Sequence, residues 1–192
     1  LNLFSLPFMP TTLSFDRLLA LLGAPQKASL TEDWPAIVDV TGDNRTVRPG
    51  TLFVAIAGAS FDGHRFIPDA IERGAAVVVG TESEEALTAQ GVDLSLPYTR
   101  APASRLALAW CSAALHGYPS RSMAVIGITG TDGKTSTSTI LESILQTATV
   151  DELASQGRVG VITTLGARLG GQDHDTGYHV TTPDAPVVQR FL

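Results

Sequence analysis

Val125-Ile126-Gly127-Ile128-Thr129-Gly130-Thr131-Asp132-Gly133-Lys134-Thr135-Ser136 decides how the rest of the chain is read. It opens with a short apolar run rich in β-branched residues, which predicts a buried strand. A loop with glycines at 130 and 133 follows, and then Lys134-Thr135. Beyond it Ile140, Leu141, Ile144 and Leu145 recur at helical spacing. Strand, glycine loop, Gly-Lys-Thr and helix, in that order, make a phosphate-binding loop.

The chemistry asks for these residue types. Glycines let the backbone turn so that successive N–H groups face phosphate oxygens. The helix N-terminus adds a partial positive charge. Lys134 would reach the terminal phosphates as a point charge, and the Thr135 hydroxyl would take a place on Mg²⁺. Lys134 and Thr135 are therefore the candidate catalytic residues, and Thr135 the candidate metal ligand. Gly130, Thr131, Asp132, Gly133, Lys134, Thr135 and Ser136 are the candidate nucleotide-binding residues. The competing reading is a glycine-rich turn with a chance Lys-Thr. The common form of the motif has four residues between its first glycine and Gly-Lys. That position is Ile128 here, and Gly127 lies one residue too early, so the loop is a compact Gly-Thr-x-Gly-Lys-Thr variant.

The 192 residues allow one large or two small domains. At 44% hydrophobic and 17% charged, the composition suits a packed core and is unlike a disordered chain. A net charge of −6 argues against a nucleic-acid partner, while leaving local anion binding open. Cys111 is the one cysteine and lies in an Ala/Leu-rich helical stretch, so it reads as a small buried residue. No run reaches the length of a membrane span, and a cytoplasmic setting is expected. The four histidines lack metal-site spacing.

Taken in order, the chain predicts an α/β fold with a largely parallel sheet. Ser14 would cap a helix through Leu22. Ile37–Val40 and Leu52–Ile56 read as strands, the second buried on both faces. A helix spans about Phe66 to Arg73 and stops at Gly74. Ala75–Val79 is a strand, and Glu82–Gln90 an acidic surface helix. Residues 93–102 hold two prolines and little periodicity. They set an expected domain boundary between 98 and 99, which places the helix over 103–116 in the second domain. A strand at Val159–Ile162, a turn at Gly170–Asp173 and a helix beginning near Pro183 complete the series. His64 and Arg65 stand at a strand-end loop, either as ligand contacts or as solvated residues.

The compact loop resembles that of the Mur ligases and folylpolyglutamate synthetases, a superfamily of ATP-dependent amide ligases. Asp43-Asn44-Arg45, Arg48-Pro49-Gly50-Thr51-Leu52-Phe53-Val54-Ala55 and Asp62-Gly63-His64-Arg65-Phe66-Ile67 resemble a second Mur ligase feature. This is the N-terminal uridine-diphosphate-binding domain of the members that add the third and the terminal peptide units. The usual triplet there is Asp-Ser-Arg; here Asn44 stands in the middle and still offers a donor and an acceptor. The resemblance implies that Gly42, Asn44 and the loop Ala59-Ser60-Phe61 contact the uridine nucleotide. Taken alone, Asp43 and Arg45 form a turn-stabilising ion pair of small worth.

Thr181-Thr182-Pro183 resembles the motif that holds the muramyl dipeptide in the members adding the third amino acid. A helix cap by Thr181 is compatible with that contact. The resemblance therefore implies a UDP-sugar-binding domain over 1–98 and the opening part of an ATP-binding domain over 99–192. It implies ATP and Mg²⁺ as cofactors, and a UDP-N-acetylmuramoyl peptide and an amino acid as substrates. The alternatives are addition of the terminal dipeptide, another phosphate-loop kinase or NTPase, and a non-catalytic uridine-nucleotide-binding module. The family's modified lysine, later Mg²⁺ ligands and amino-acid-binding domain would lie beyond Leu192, so these residues are expected to lack a full catalytic cycle. Asp132 is often Asn in the family and puts an extra negative charge beside the phosphates.

Overall fold

The computed structural model describes residues 20, 22, 36–58, 62–147, 159–177 and 182–192. The expected N-terminal helix falls almost wholly outside them. The chain divides into two compact units, residues 1–119 and 120–192.

The first unit holds a four-stranded parallel sheet in the order β1 (Asp39–Thr41), β2 (Thr51–Val54), β3 (Ala75–Gly80), β4 (Tyr98–Arg100). Helix α1 (Ile67–Glu72) lies between β2 and β3 in the chain, and α2 (Glu84–Ala89) between β3 and β4. Helix α3 (Ser104–Leu115) follows β4. The strand residues alternate between two cores. Leu52, Val54, Val77 and Val79 pack with Ala107, Leu108, Cys111, Ala114 and Leu115 of α3. Phe53, Ala55 and Val78 pack with Ile67 and Ala70 of α1, Leu87 of α2 and Tyr98. All four residues of β2 are buried, as expected of a parallel strand covered on both faces. Each such Val, Leu, Ile or Phe contributes about 1.5–3 kcal/mol relative to exposure.

Local signals set the ends of the elements. Ser83 Oγ accepts from Ala86 N–H and starts α2. Gly74 takes φ +94° after α1, a conformation that an L side chain resists. Gly117, at φ +71°, ends α3.

Two expectations are corrected here. The proline-bearing stretch 93–102 contains β4, a three-residue strand too short to show periodicity, bonded to β3 through Val78, Val79 and Gly80. Helix α3 belongs to the first unit, because its apolar face covers β1, β2 and β3. The division therefore falls after Pro119 and not between 98 and 99.

The second unit contains α4 (Lys134–Thr147), the antiparallel strands β5 (Gly160–Thr163), β6 (Gly166–Leu169) and β7 (Gln172–His174), and α5 (Ala185–Phe191). Gly170 and Gly171, at φ +56° and +81°, close the β6–β7 hairpin. The strand expected at Val125–Thr129 is not formed: residues 124–130 carry no regular structure, and Val125 and Ile126 are each 60% exposed. A strand needs a ladder partner, and in this sheet β5 stands at one edge bonded to β6 alone. The helix expected from Pro183 begins at Ala185 with Asp184 as N-cap. Thr181 lies outside the described residues.

Candidate functional site

In the second unit, residues 127–133 run without regular structure straight into α4, whose first residue is Lys134. Gly133 takes φ +77°, with nothing within 4 Å of where a Cβ would sit. Lys134 folds back over the loop, Nζ donating to Gly130 O at 2.5 Å and to Thr131 O at 3.0 Å. The loop thus curls around its own lysine and is open to solvent. Thr131, Asp132, Gly133 and Ser136 are exposed, and Lys134 and Thr135 half-buried. In an α-helix the first N–H groups lack an intrahelical acceptor, so those of Lys134, Thr135 and Ser136 are available to an anion. Ser138 Oγ and Thr139 Oγ1 bond back to Lys134 O and Thr135 O, which holds the first turn tight.

Thr135 Oγ1 lies 3.3 Å from Thr164 Oγ1, in the turn after β5. Sequence reasoning missed Thr164, because nothing in the spacing says that the β5–β6 turn reaches α4. Among the described residues no group of three His, Cys, Asp or Glu side chains could hold a metal ion. Thr135 and Thr164 bring hydroxyl oxygens to the loop, a donor type that suits Mg²⁺ carried mainly by phosphate oxygens and water.

In the first unit residues 42–45 follow β1 and residues 62–67 follow β2, at the strand ends where open α/β sheets place their ligands, whereas Arg48-Pro49-Gly50 precede β2 at the opposite end. Gly42 follows β1, and a Cβ there would stand 2.6 Å from Ile56 Cδ1, so a side chain would make the end of the Ile56 side chain shift. Asp43 accepts from Arg45 Nε and Nη2 at 2.9 and 2.7 Å and from Arg45 N–H at 3.0 Å. The Arg45 hydrogen bonds hold the Asp43 carboxyl below the usual carboxylate range despite some burial. Asn44 Nδ2 donates to Asp69 Oδ2 at 2.7 Å, a long-range contact with no signal in the spacing. Ala59, Ser60 and Phe61 lie outside the described residues.

His64 is neither of the two things its loop position suggested. It is 3% exposed and serves as a clip between strand ends. Thr81 N–H donates to Nε2 at 2.9 Å, which leaves the ring proton on Nδ1, 2.5 Å from Asp62 Oδ1. Asp62 also accepts the His64 backbone N–H. Gly63 is required there, since its Cβ would fall 2.5 Å from Ile56 O. Thr182 is exposed ahead of α5, and Pro183 is buried.

A covered parallel sheet and helices alternating with its strands make this an α/β protein. The chain belongs to the Mur ligase family: residues 37–108 match the family's catalytic domain and residues 128–192 its middle domain. It is 43% identical over 157 residues to the UDP-N-acetylmuramyl-tripeptide synthetase of Deinococcus radiodurans, covering 81% of this chain and 30% of that protein. It is 39% identical over 153 residues to the UDP-N-acetylmuramoyl-L-alanyl-D-glutamate--2,6-diaminopimelate ligase of Chlorobium phaeobacteroides, covering 80% and 27%. The chain thus spans less than a third of the length of these relatives. Its fold resembles that of MurF from Acinetobacter baumannii, with a TM-score of 0.54 at 24% identity over 71% of this chain and 28% of that one. It also resembles a solved UDP-N-acetylmuramoyl-L-alanyl-D-glutamate--2,6-diaminopimelate ligase, with a TM-score of 0.58 at 21% identity over 93% and 32%.

Proposed function

We propose that this chain supplies the uridine-nucleotide-binding unit and the opening phosphate-loop part of a cytoplasmic, ATP-dependent amide ligase. In the whole protein it adds the third amino acid to UDP-N-acetylmuramoyl-L-alanyl-D-glutamate in peptidoglycan synthesis. Members of the family are ATP-dependent amide ligases. The observation that carries the reading is the Gly130–Thr135 loop, folded around Lys134 and delivering free helix-terminal N–H groups. The choice of step is supported by the names of the sequence relatives and by Thr181-Thr182-Pro183.

In this reading Gly42, Asn44 and the loop 59–61 hold the uridine end of the substrate. Thr181 and Thr182 contact the muramyl dipeptide. The D-glutamyl carboxylate attacks the γ-phosphate of ATP and becomes an acyl phosphate as ADP leaves. The incoming amine then displaces phosphate to leave an amide. Lys134, once phosphate oxygens replace the loop carbonyls, neutralises charge on the transferred group, which is electrostatic and positional catalysis. Mg²⁺, with Thr135 as one ligand, would supply further charge neutralisation. Asp132 is exposed, which allows its carboxylate to stay clear of the anion.

Lys134→Ala in the whole protein is expected to lower ATP-dependent ligation by at least about 10²-fold. Uridine-nucleotide binding should stay within about twofold of wild type, because Lys134 lies in the other unit. Ligation at the wild-type rate would refute the role of Lys134. Titration with the UDP-muramyl dipeptide and with its tripeptide homologue tests the step. Preference for the longer substrate moves the assignment to addition of the terminal dipeptide.

A further inference from the structure

Asn44 stands where the family's triplet has Ser, and its side chain reaches out of its own turn. Nδ2 donates to Asp69 Oδ2 in the first turn of α1 at 2.7 Å, and the same oxygen accepts from Arg73 Nε at 2.9 Å. A carboxylate oxygen only accepts, so the amide nitrogen, not the amide oxygen, faces it. The covalent geometry of the amide then turns Oδ1 and the remaining N–H away from Asp69. Among the described residues Oδ1 has no hydrogen-bond partner, and Asn44 is only half-buried.

The difference from Ser is one of symmetry. A hydroxyl rotates to donate or accept as the ligand requires. An amide presents a donor end and an acceptor end, and a 180° flip exchanges them. An Asn in a recognition turn therefore needs a partner that fixes the flip, and Asp69 meets that need. Arg73, four residues on, also holds Asp69 in place, and the hydrogen bonds from Asn44 and then Arg73 keep its carboxyl below the usual carboxylate range.

We propose that Asp69 is a positioning residue for nucleotide recognition: it locks the Asn44 amide so that Oδ1 and one N–H meet the imide N–H and an adjacent carbonyl of a uracil ring. The proposal rests on the reading of Asn44 as a uridine contact. It assigns Asp69 a role that acts through Asn44 and not through the ligand.

The test is a double-mutant cycle on this chain, with uridine diphosphate as the titrant in calorimetry. Asp69→Ala is expected to weaken binding about tenfold in the presence of Asn44, the effect of losing one charge-assisted hydrogen bond. In the Asn44→Ser background the same change is expected to cost less than about twofold, since a hydroxyl needs no orientation. Asp69→Asn keeps an acceptor oxygen and the side-chain volume, and should fall between the two. It also serves if the alanine variant does not fold. Thermal unfolding of each variant reports the purely structural part of the effect. Equal losses in both backgrounds, or no loss in either, overturn the positioning role while leaving uridine binding intact. A wild-type chain that does not bind uridine diphosphate overturns the uridine reading and this proposal with it.

Discussion

Tyr98 and Cys111 are two buried acids that the first unit keeps neutral. The Tyr98 hydroxyl donates to Glu82 O at 2.8 Å, and burial, aided by the Glu82 charge, pushes the phenol up to about 12. Cys111 is fully buried against β1–β3, and burial pushes its thiol up to about 12 as well. In the unfolded chain these groups ionise near 10 and 9. Between pH 9 and 12 the unfolded state therefore holds fewer protons than the native one, so stability falls as pH rises. The contribution is complete below pH 9 and is lost by about 12. Denaturant unfolding should show a loss of about 4 kcal/mol between pH 8 and 11. Cys111→Ala combined with Tyr98→Phe should flatten that limb, and an unchanged slope would show that other groups govern it. That Cys111 is buried could be read from its Ala/Leu-rich surroundings. That His64 is a clip could not, because the Thr81 N–H it accepts is 17 residues away.

At the scale of elements, α4 is held to the β5–β7 sheet by charge as well as by packing. Glu142 is buried on α4 and accepts from Arg168 Nη1 of β6 and from Gln146 Nε2, each at 3.1 Å. Arg168 Nε also donates to Asp173 Oδ1 of β7 at 2.8 Å. Removing the arginine leaves a buried carboxylate with one amide partner. Arg168→Ala should therefore cost the second unit about 2 kcal/mol or more, read by hydrogen exchange of the β5 and β6 amides. Glu142→Met with Arg168→Met should recover most of that loss; a double variant as weak as the single would assign the effect to packing. Among the described residues of the first unit, periodicity gave the helices over 67–72, 84–89 and 104–115 and the buried strands β2 and β3 correctly, because their apolar residues repeat at the element's own period. It failed at β4, where three residues are too few, and at Val125–Thr129, where β-branched residues favour a strand but no neighbour completes the ladder. The candidate site was legible only as far as it is contiguous: Gly130–Ser136 could be read directly, whereas Asp69 and Thr164 come from elements that the fold brings in.

Across the whole molecule the two units differ in how much apolar surface they hide. Nearly all buried hydrophobic side chains among the described residues belong to the first unit; in the second, Ala167 is the buried one. Val125, Ile126, Ile140, Ile144 and Leu165 of the second unit are each more than half exposed. Scattered exposure is ordinary, but five large side chains in one small unit exceed it. Opening free energy follows buried apolar contact, so the amides of β2 and β3 should exchange slowest and those of 124–130 almost freely. The chain as it stands should bind a hydrophobic dye such as ANS and self-associate with rising concentration. Ile126→Lys together with Ile144→Lys should reduce both by severalfold and leave the protection of β2 and β3 unchanged, because neither side chain is in the first unit's core. Dye binding that persists at the wild-type level in this variant, with β2 and β3 still protected, would mean that the exposed apolar surface lies elsewhere.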